Sequence, residues 1–314
     1  ANTTGGSNTA MGYAALYSCT TGGNNTAYGR DALYFTTTAS DNTAIGNEAL
    51  ENNTASDNTA VGSHALTANT TGQYNIAMGS NALSSNTTES NNIAIGVNAI
   101  TGATGAQRCI AIGTNAMQQL TTGDRNIAIG VNSFDAATTA HDNICIGEQS
   151  GSSLTDGNAY YNVILGSYAL DAGTTTNSNV AIGYAAAGQL QTGNSNVCIG
   201  TFAMTGATGD ANSNIVIGHT AAYDLTTGTN NVCIGTAAGY SAGNDLTDGD
   251  FNIYFGGFTQ ASSGSAQKEH VMGYNIIGKG SRTFYNNSDL GVYHGGNTST
   301  WSTTSDIRVK KNIV

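Results

Sequence analysis

The sequence predicts an all-β fibrous repeat, a β-solenoid or β-roll with about 17 residues per repeat, assembled as a parallel homotrimer. Three observations carry this prediction. A glycine motif returns fifteen times at near-constant spacing, a short two-faced segment precedes each glycine, and the composition suits tight turns and close backbone contacts.

The motif reads Asn, β-branched, small, β-branched, Gly, two variable residues, Ala, Leu, as in "NNIAIGVNAI" at 91–100. Its glycines run from Gly12 to Gly256 at intervals of 16 to 21 residues, most of them 17. The segment before each glycine alternates with period two, which predicts a strand. Ile110 and Ile112 face one way and Ala111 the other. Neither face is interrupted by charge, so both suit burial, and copies are expected to stack. The Ala-Leu pair after the glycine (Ala49–Leu50, Ala82–Leu83) fits a second short strand or one helical turn; the strand is favoured. Connectors such as "TANTTGQY" (67–74) predict a turn in which Gly takes positive φ.

Two columns follow from stacking. Asn stands four residues before the motif glycine in fourteen of fifteen copies, Cys109 being the exception. Stacked amides can bond along the axis, which gives Asn92, Asn126, Asn143, Asn179, Asn196 and Asn231 a structural role, together with Gly96, Gly130 and Gly200. The small column of Ala and Cys suggests close packing against a neighbour, and three chains around one axis would supply it.

Composition excludes several functions. Charged residues are 9% and Pro is absent, unlike a disordered tail. A net charge of −11 repels phosphate backbones, so no nucleic-acid partner is expected. No run of about 18 apolar residues suggests membrane insertion, and the opening "ANTTGGSN" is not a signal peptide. That opening aligns in register with "ANTTGQYN" at 68–75, so the array is expected to extend upstream. The five cysteines are widely separated and form no CxxC or Cys/His set; Cys145, Cys198 and Cys233 occupy the small position. No cofactor or metal is expected. Asp245, Asp248 and Asp250 could hold Ca²⁺, but read rather as a solvated turn.

The organisation is a repeat array over 1–256, a non-repeat β tip over 257–304 and a distinct terminal segment, 305–314. "HVMG" at 270–273 is a degenerate copy with Glu269 in the Asn position. In the tip, Tyr285, Tyr293 and Trp301 either form an apolar cap or stack on surface sugars. The longer connectors before Gly166 and Gly256 are the next candidates for contacts. A polysaccharide-degrading enzyme would need two carboxylates about 5–10 Å apart. Glu48, Glu51, Glu148 and Glu269 sit at variable or irregular positions, so no enzyme is expected.

The repeats resemble those of trimeric bacterial adhesin heads and, more closely, the "NTAVG…AL" arrays of phage tail fibres, over about 1–256. The terminal "SDIRVKKNI" resembles the opening of the intramolecular chaperone domain of phage tail fibres and tailspikes. That resemblance implies trimerisation during folding, then self-cleavage at the Ser305–Asp306 bond, with Ser305 as nucleophile, Lys310 as its base and Arg308 structural. Only the start of that domain lies within these residues, so cleavage is expected only in a longer precursor. The expected role is a structural and adhesive trimeric fibre of the virion, extracellular. Its expected partners are itself, a polysaccharide or protein receptor on the bacterial surface, and upstream fibre or baseplate proteins. The alternatives are a bacterial surface adhesin, placed on the cell surface, and a polysaccharide-degrading tailspike.

Overall fold

The segments before the motif glycines form strands, as their alternation requires. The computed structural model describes residues 3–155, 157, 159–240 and 245–280 in full, and the backbone alone of 284–287, 292–294 and 302–303. The chain divides into two units, Ala1–Asn162 and Val163–Val314.

In the first unit, β1 (Thr9–Met11), β2 (Thr26–Tyr28), β3 (Thr43–Ile45), β4 (Thr59–Val61), β5 (Ile76–Met78), β6 (Ile93–Ile95), β7 (Ile110–Ile112), β8 (Ile127–Ile129) and β9 (Ile144–Ile146) pair parallel in chain order. The second unit repeats this with β10 (Val163–Leu165), β11 (Val180–Ile182), β12 (Val197–Ile199), β13 (Ile215–Ile217), β14 (Val232–Ile234), β15 (Ile253–Phe255) and β16 (His270–Gly273). Each unit is a β-solenoid. The degenerate copy at 270–273 therefore stacks like the others, and β17 (Phe284–Asn287) still pairs parallel with it. Direction then reverses: β18 (Val292–His294) and β19 (Ser302–Thr303) pair antiparallel.

Register places like on like. Ala94 sits over Ala111, Ala128 over Cys145 and Ala181 over Cys198. The small side chains point into the coil: Ala94, Ala111 and Cys145 are 0% exposed and Cys198 is 1% exposed. Their β-branched neighbours stay partly open, Ile76 at 38% and Ile215 at 41%. This corrects the idea that the alanine column meets a partner chain. Leu83, Ile100, Met117 and Phe134, from the turn after the glycine, fill the interior of their coils and favour a small residue on the strand, while Ile164, Val216, Tyr254 and Val271 are buried at the same position in other coils.

That turn is neither strand nor helix. Residues two and four after the glycine are left-handed, as at Asn98 (φ 56) and Ile100 (φ 47), or Asn115 (φ 56) and Met117 (φ 51). The amides of these two left-handed residues point in opposite directions along the stack. Asn98 N–H donates to Ser80 of the coil before at 3.0 Å, and Ile100 N–H to Ala116 of the coil after at 3.1 Å. A left-handed bulky residue costs about 1–2 kcal/mol, while full burial of its side chain contributes about 1.5–3 kcal/mol. Burial offsets the strain, so the apolar residue holds the turn.

Two kinds of glycine differ in their reasons. Gly96 has φ 140, and a Cβ there would lie 2.3 Å from the Gly113 carbonyl oxygen; Gly130 and Gly200 share this geometry against the next coil. The connector glycines were expected at positive φ, and the left-handed residue instead comes two later, as at Tyr74 (φ 58) after Gly72. Gly72 is needed for space, since a Cβ would meet the Glu89 carbonyl oxygen at 2.2 Å.

Candidate functional site

The buried asparagines bond mainly from side chain to backbone. The Oδ1 of Asn92 accepts the Cys109 N–H of the next coil at 3.0 Å, and its Nδ2 donates to the Ala106 carbonyl at 2.8 Å. Asn126 and Asn143 serve Ala140 and Ala159 in the same way, at 2.8 and 2.9 Å. In the second unit, Asn179 donates to Gly193 (3.0 Å), Asn196 to Ala211 (2.8 Å) and Asn231 to Gly249 (2.7 Å). Direct amide–amide bonds join Asn196 to Asn179 at 3.1 Å and Asn252 to Asn231 at 3.0 Å. Each amide thus closes a strand and a connector at once.

The exceptions keep part of this function. Cys109 donates its thiol to the Gly123 carbonyl at 3.4 Å, and burial pushes that thiol up to about 11. Burial likewise pushes Cys198 and Cys233 up to about 12. Glu269 takes the Asn position after β15. Its backbone N–H reaches Asn252 Oδ1 at 2.8 Å, and its carboxylate accepts from Tyr254 O–H (2.9 Å), Ser262 N–H (3.0 Å) and Gly280 N–H (2.8 Å). A carboxylate only accepts, so the amide pattern ends there. Burial and this carboxylate together raise the Tyr254 phenol.

The sequence also missed two further columns. Inside, Asn86 donates to Asn69 (2.9 Å) and Asn69 to Asn53 (2.7 Å). Outside, Asn81, Asn98, Asn115 and Asn132 link Nδ2 to Oδ1 at 3.1–3.3 Å.

The surface carries aromatic groups that the tip-centred expectation overlooked. In the first unit an open cleft of about 540 Å³ is lined by Tyr13, Tyr17, Tyr34 and Phe35, with the carboxylates of Asp31 and Glu51. Tyr17 and Tyr34 lie one coil apart and stack at 5.2 Å with planes 6° apart; Phe35 meets Tyr34 edge-on at 4.6 Å. Arg30 pairs with Asp31 at 2.8 Å and Glu48 at 3.1 Å, and His64 lies 3.1 Å from Glu48. Burial, then the charges of Glu48 and Asp31, raise the Glu51 carboxyl. The signal was present: Tyr17, Tyr34 and Glu51 are spaced by 17. In the second unit Tyr168, Tyr184, Phe202, Tyr223 and Tyr240 form a row, consecutive rings 5.2–6.3 Å apart.

Of the longer connectors, the one before Gly166 stacks Tyr160 on His141 at 5.4 Å and sets Tyr161 edge-on against Tyr160. In the one before Gly256, Asp250 accepts from Thr229 N–H (2.7 Å) and O–H (2.9 Å), and Asp248 accepts from Thr247 O–H (3.2 Å). Among the described residues no three His, Cys, Asp or Glu side chains group as metal ligands. Ser305, Asp306, Arg308, Lys310 and Trp301 lie outside the described residues, and of Tyr285 and Tyr293 only the backbone, in β17 and β18, is described. No helix among the described residues is long and apolar enough to cross a membrane. Set against known proteins, no family model matches the chain, and no curated protein matches it.

Proposed function

We propose that the chain is a structural and adhesive part of a trimeric phage tail fibre that meets a bacterial surface. The observation that supports this most is coil-to-coil bonding through strand, turn and buried amide, repeated in both units. Such a stack grows by addition of coils and carries load along the bonded direction, which suits a spacer between a particle and its host. The "SDIRVKKNI" terminus supports the same reading, with cleavage at Ser305–Asp306 in a longer precursor.

For the trimer, the face now favoured is the β-branched one of each unit, with Ile45, Ile76 and Ile146 in the first and Ile215 in the second each 38–41% exposed. Three copies turning this face inward would cover it. Sedimentation should give about three times 31.8 kDa. Ile76→Lys combined with Ile146→Lys should reduce the mass to one chain while the far-UV spectrum stays unchanged. A monomer of the unaltered chain at micromolar concentration would remove the trimer from this reading. Adsorption to bacterial cells, lost on removal of their surface polysaccharide or protein, would identify the receptor; no adsorption by the trimer would count against the adhesive role.

A further inference from the structure

We propose that the aromatic cleft of the first unit binds an ammonium-bearing group, carried by an amino sugar or by a choline-type headgroup. The proposal goes beyond the attachment reading, because a shaft from any source would bind this way; its test needs neither a trimer nor a cell.

Two independent features converge on this chemistry. The first is the cleft itself, about 540 Å³, walled by Tyr13, Tyr17, Tyr34 and Phe35. Tyr13 and Tyr17 are 79% and 62% exposed, so their rings are accessible to a ligand. Ring faces carry negative quadrupole density, and several rings around one space make a cage for a cationic nitrogen. The second is charge. Asp31 and Glu51 line the cleft, while Arg30 pairs with Asp31 and Glu48, and His64 lies 3.1 Å from Glu48. Among the described residues no hydrogen bond or ion pair engages the Glu51 carboxylate, which lines the cleft beside Tyr34 and Phe35. A carboxylate with no hydrogen bond or ion pair of its own, next to ring faces, favours a cation over a neutral sugar and disfavours an acidic one. From Tyr168 to Tyr223 the aromatic row of the second unit has rings meeting edge to face, whereas in the first unit the rings wall a cleft, and the proposal falls there.

The test is calorimetric titration of the full chain with choline and with glucosamine, with the neutral sugars glucose and N-acetylglucosamine as controls. At least one ammonium probe should bind with Kd of about 1 mM, and the neutral sugars at least about tenfold more weakly. Choline alone binding assigns the site to a quaternary headgroup, glucosamine alone to an amino sugar; either supports the proposal. Tyr17→Leu keeps apolar bulk but removes a ring face, and Glu51→Gln keeps shape but removes the charge. Each should weaken binding about 2- to 30-fold at unchanged melting temperature. Equal binding of neutral sugars, no binding of either cation, or binding indifferent to both substitutions would overturn the proposal.

Discussion

Removing one buried amide should destabilise the stack by more than its size suggests. Asn196 is 0% exposed; its Oδ1 accepts the Asn214 N–H at 2.9 Å and its Nδ2 donates to the Ala211 carbonyl at 2.8 Å. Asn196→Ala leaves both backbone groups buried without these partners. The amide–amide bonds to Asn179 and from Asn214, both 3.1 Å, are lost as well. The Asn214 side chain keeps its bond to Gly228 at 2.8 Å, and Asn179 Oδ1 keeps the residue 196 N–H at 2.9 Å, so only those two backbone groups are left unsatisfied. At about 1–3 kcal/mol for each unsatisfied buried group, the substitution should cost about 2–6 kcal/mol. The control is Asn98→Gly in the outer amide column, where Gly tolerates the left-handed backbone (φ 56), water replaces the lost bonds and the cost should stay below about 1 kcal/mol. Urea denaturation followed by circular dichroism measures both, with hydrogen exchange at the residue 214 amide showing whether the loss is local, since repeat arrays need not unfold as one unit. Equal effects for the two variants would refute the assignment of the inner column as the main polar tie.

Other consequences follow from the same geometry. At Leu83, left-handed at φ 51, Gly should be at least as stable as Ala, by about 1 kcal/mol, because it relieves the backbone strain that Ala retains; Ala more stable than Gly in matched melts would contradict the strained turn. Cys198 and Cys233, buried with thiols raised to about 12, should resist iodoacetamide at pH 8 until denaturant is added; rapid native labelling would place the small face outside. Asp142 is held down to about 2 by the Arg125 guanidinium at 2.6 Å. Its stabilisation should be complete above the unfolded value of about 4 and lost as pH falls towards 2. Exposure keeps it below about 1 kcal/mol, measurable as the difference between the original and Arg125→Ala in acid titrations; a pH-independent difference would deny the pairing.

The repeat and its strands were legible because alternation and spacing are properties of the chain itself. The asparagine column was legible for the same reason, although its bonds run chiefly to backbone groups of the next coil. Which strand face turns inward was not legible. Alternation in "IAI" shows two faces, and the choice is made by Leu83, Ile100 and Met117 arriving from the following turn. That turn was itself hidden, since left-handed Ile, Leu and Met run against local preference and persist only by burial. The aromatic cleft was missed because it is built across coils: no local window joins Tyr17, Tyr34 and Glu51, whereas the 17-residue interval does.

The most direct test of the stacked-coil account is residue-resolved amide exchange on the intact chain. Asn42, Asn58, Asn75 and Asn92 each donate their backbone N–H to the asparagine oxygen one coil earlier, at 3.0 Å. All four amides should exchange as slowly as those of the strands they precede. Exchange at the rate of exposed connector amides would contradict the account.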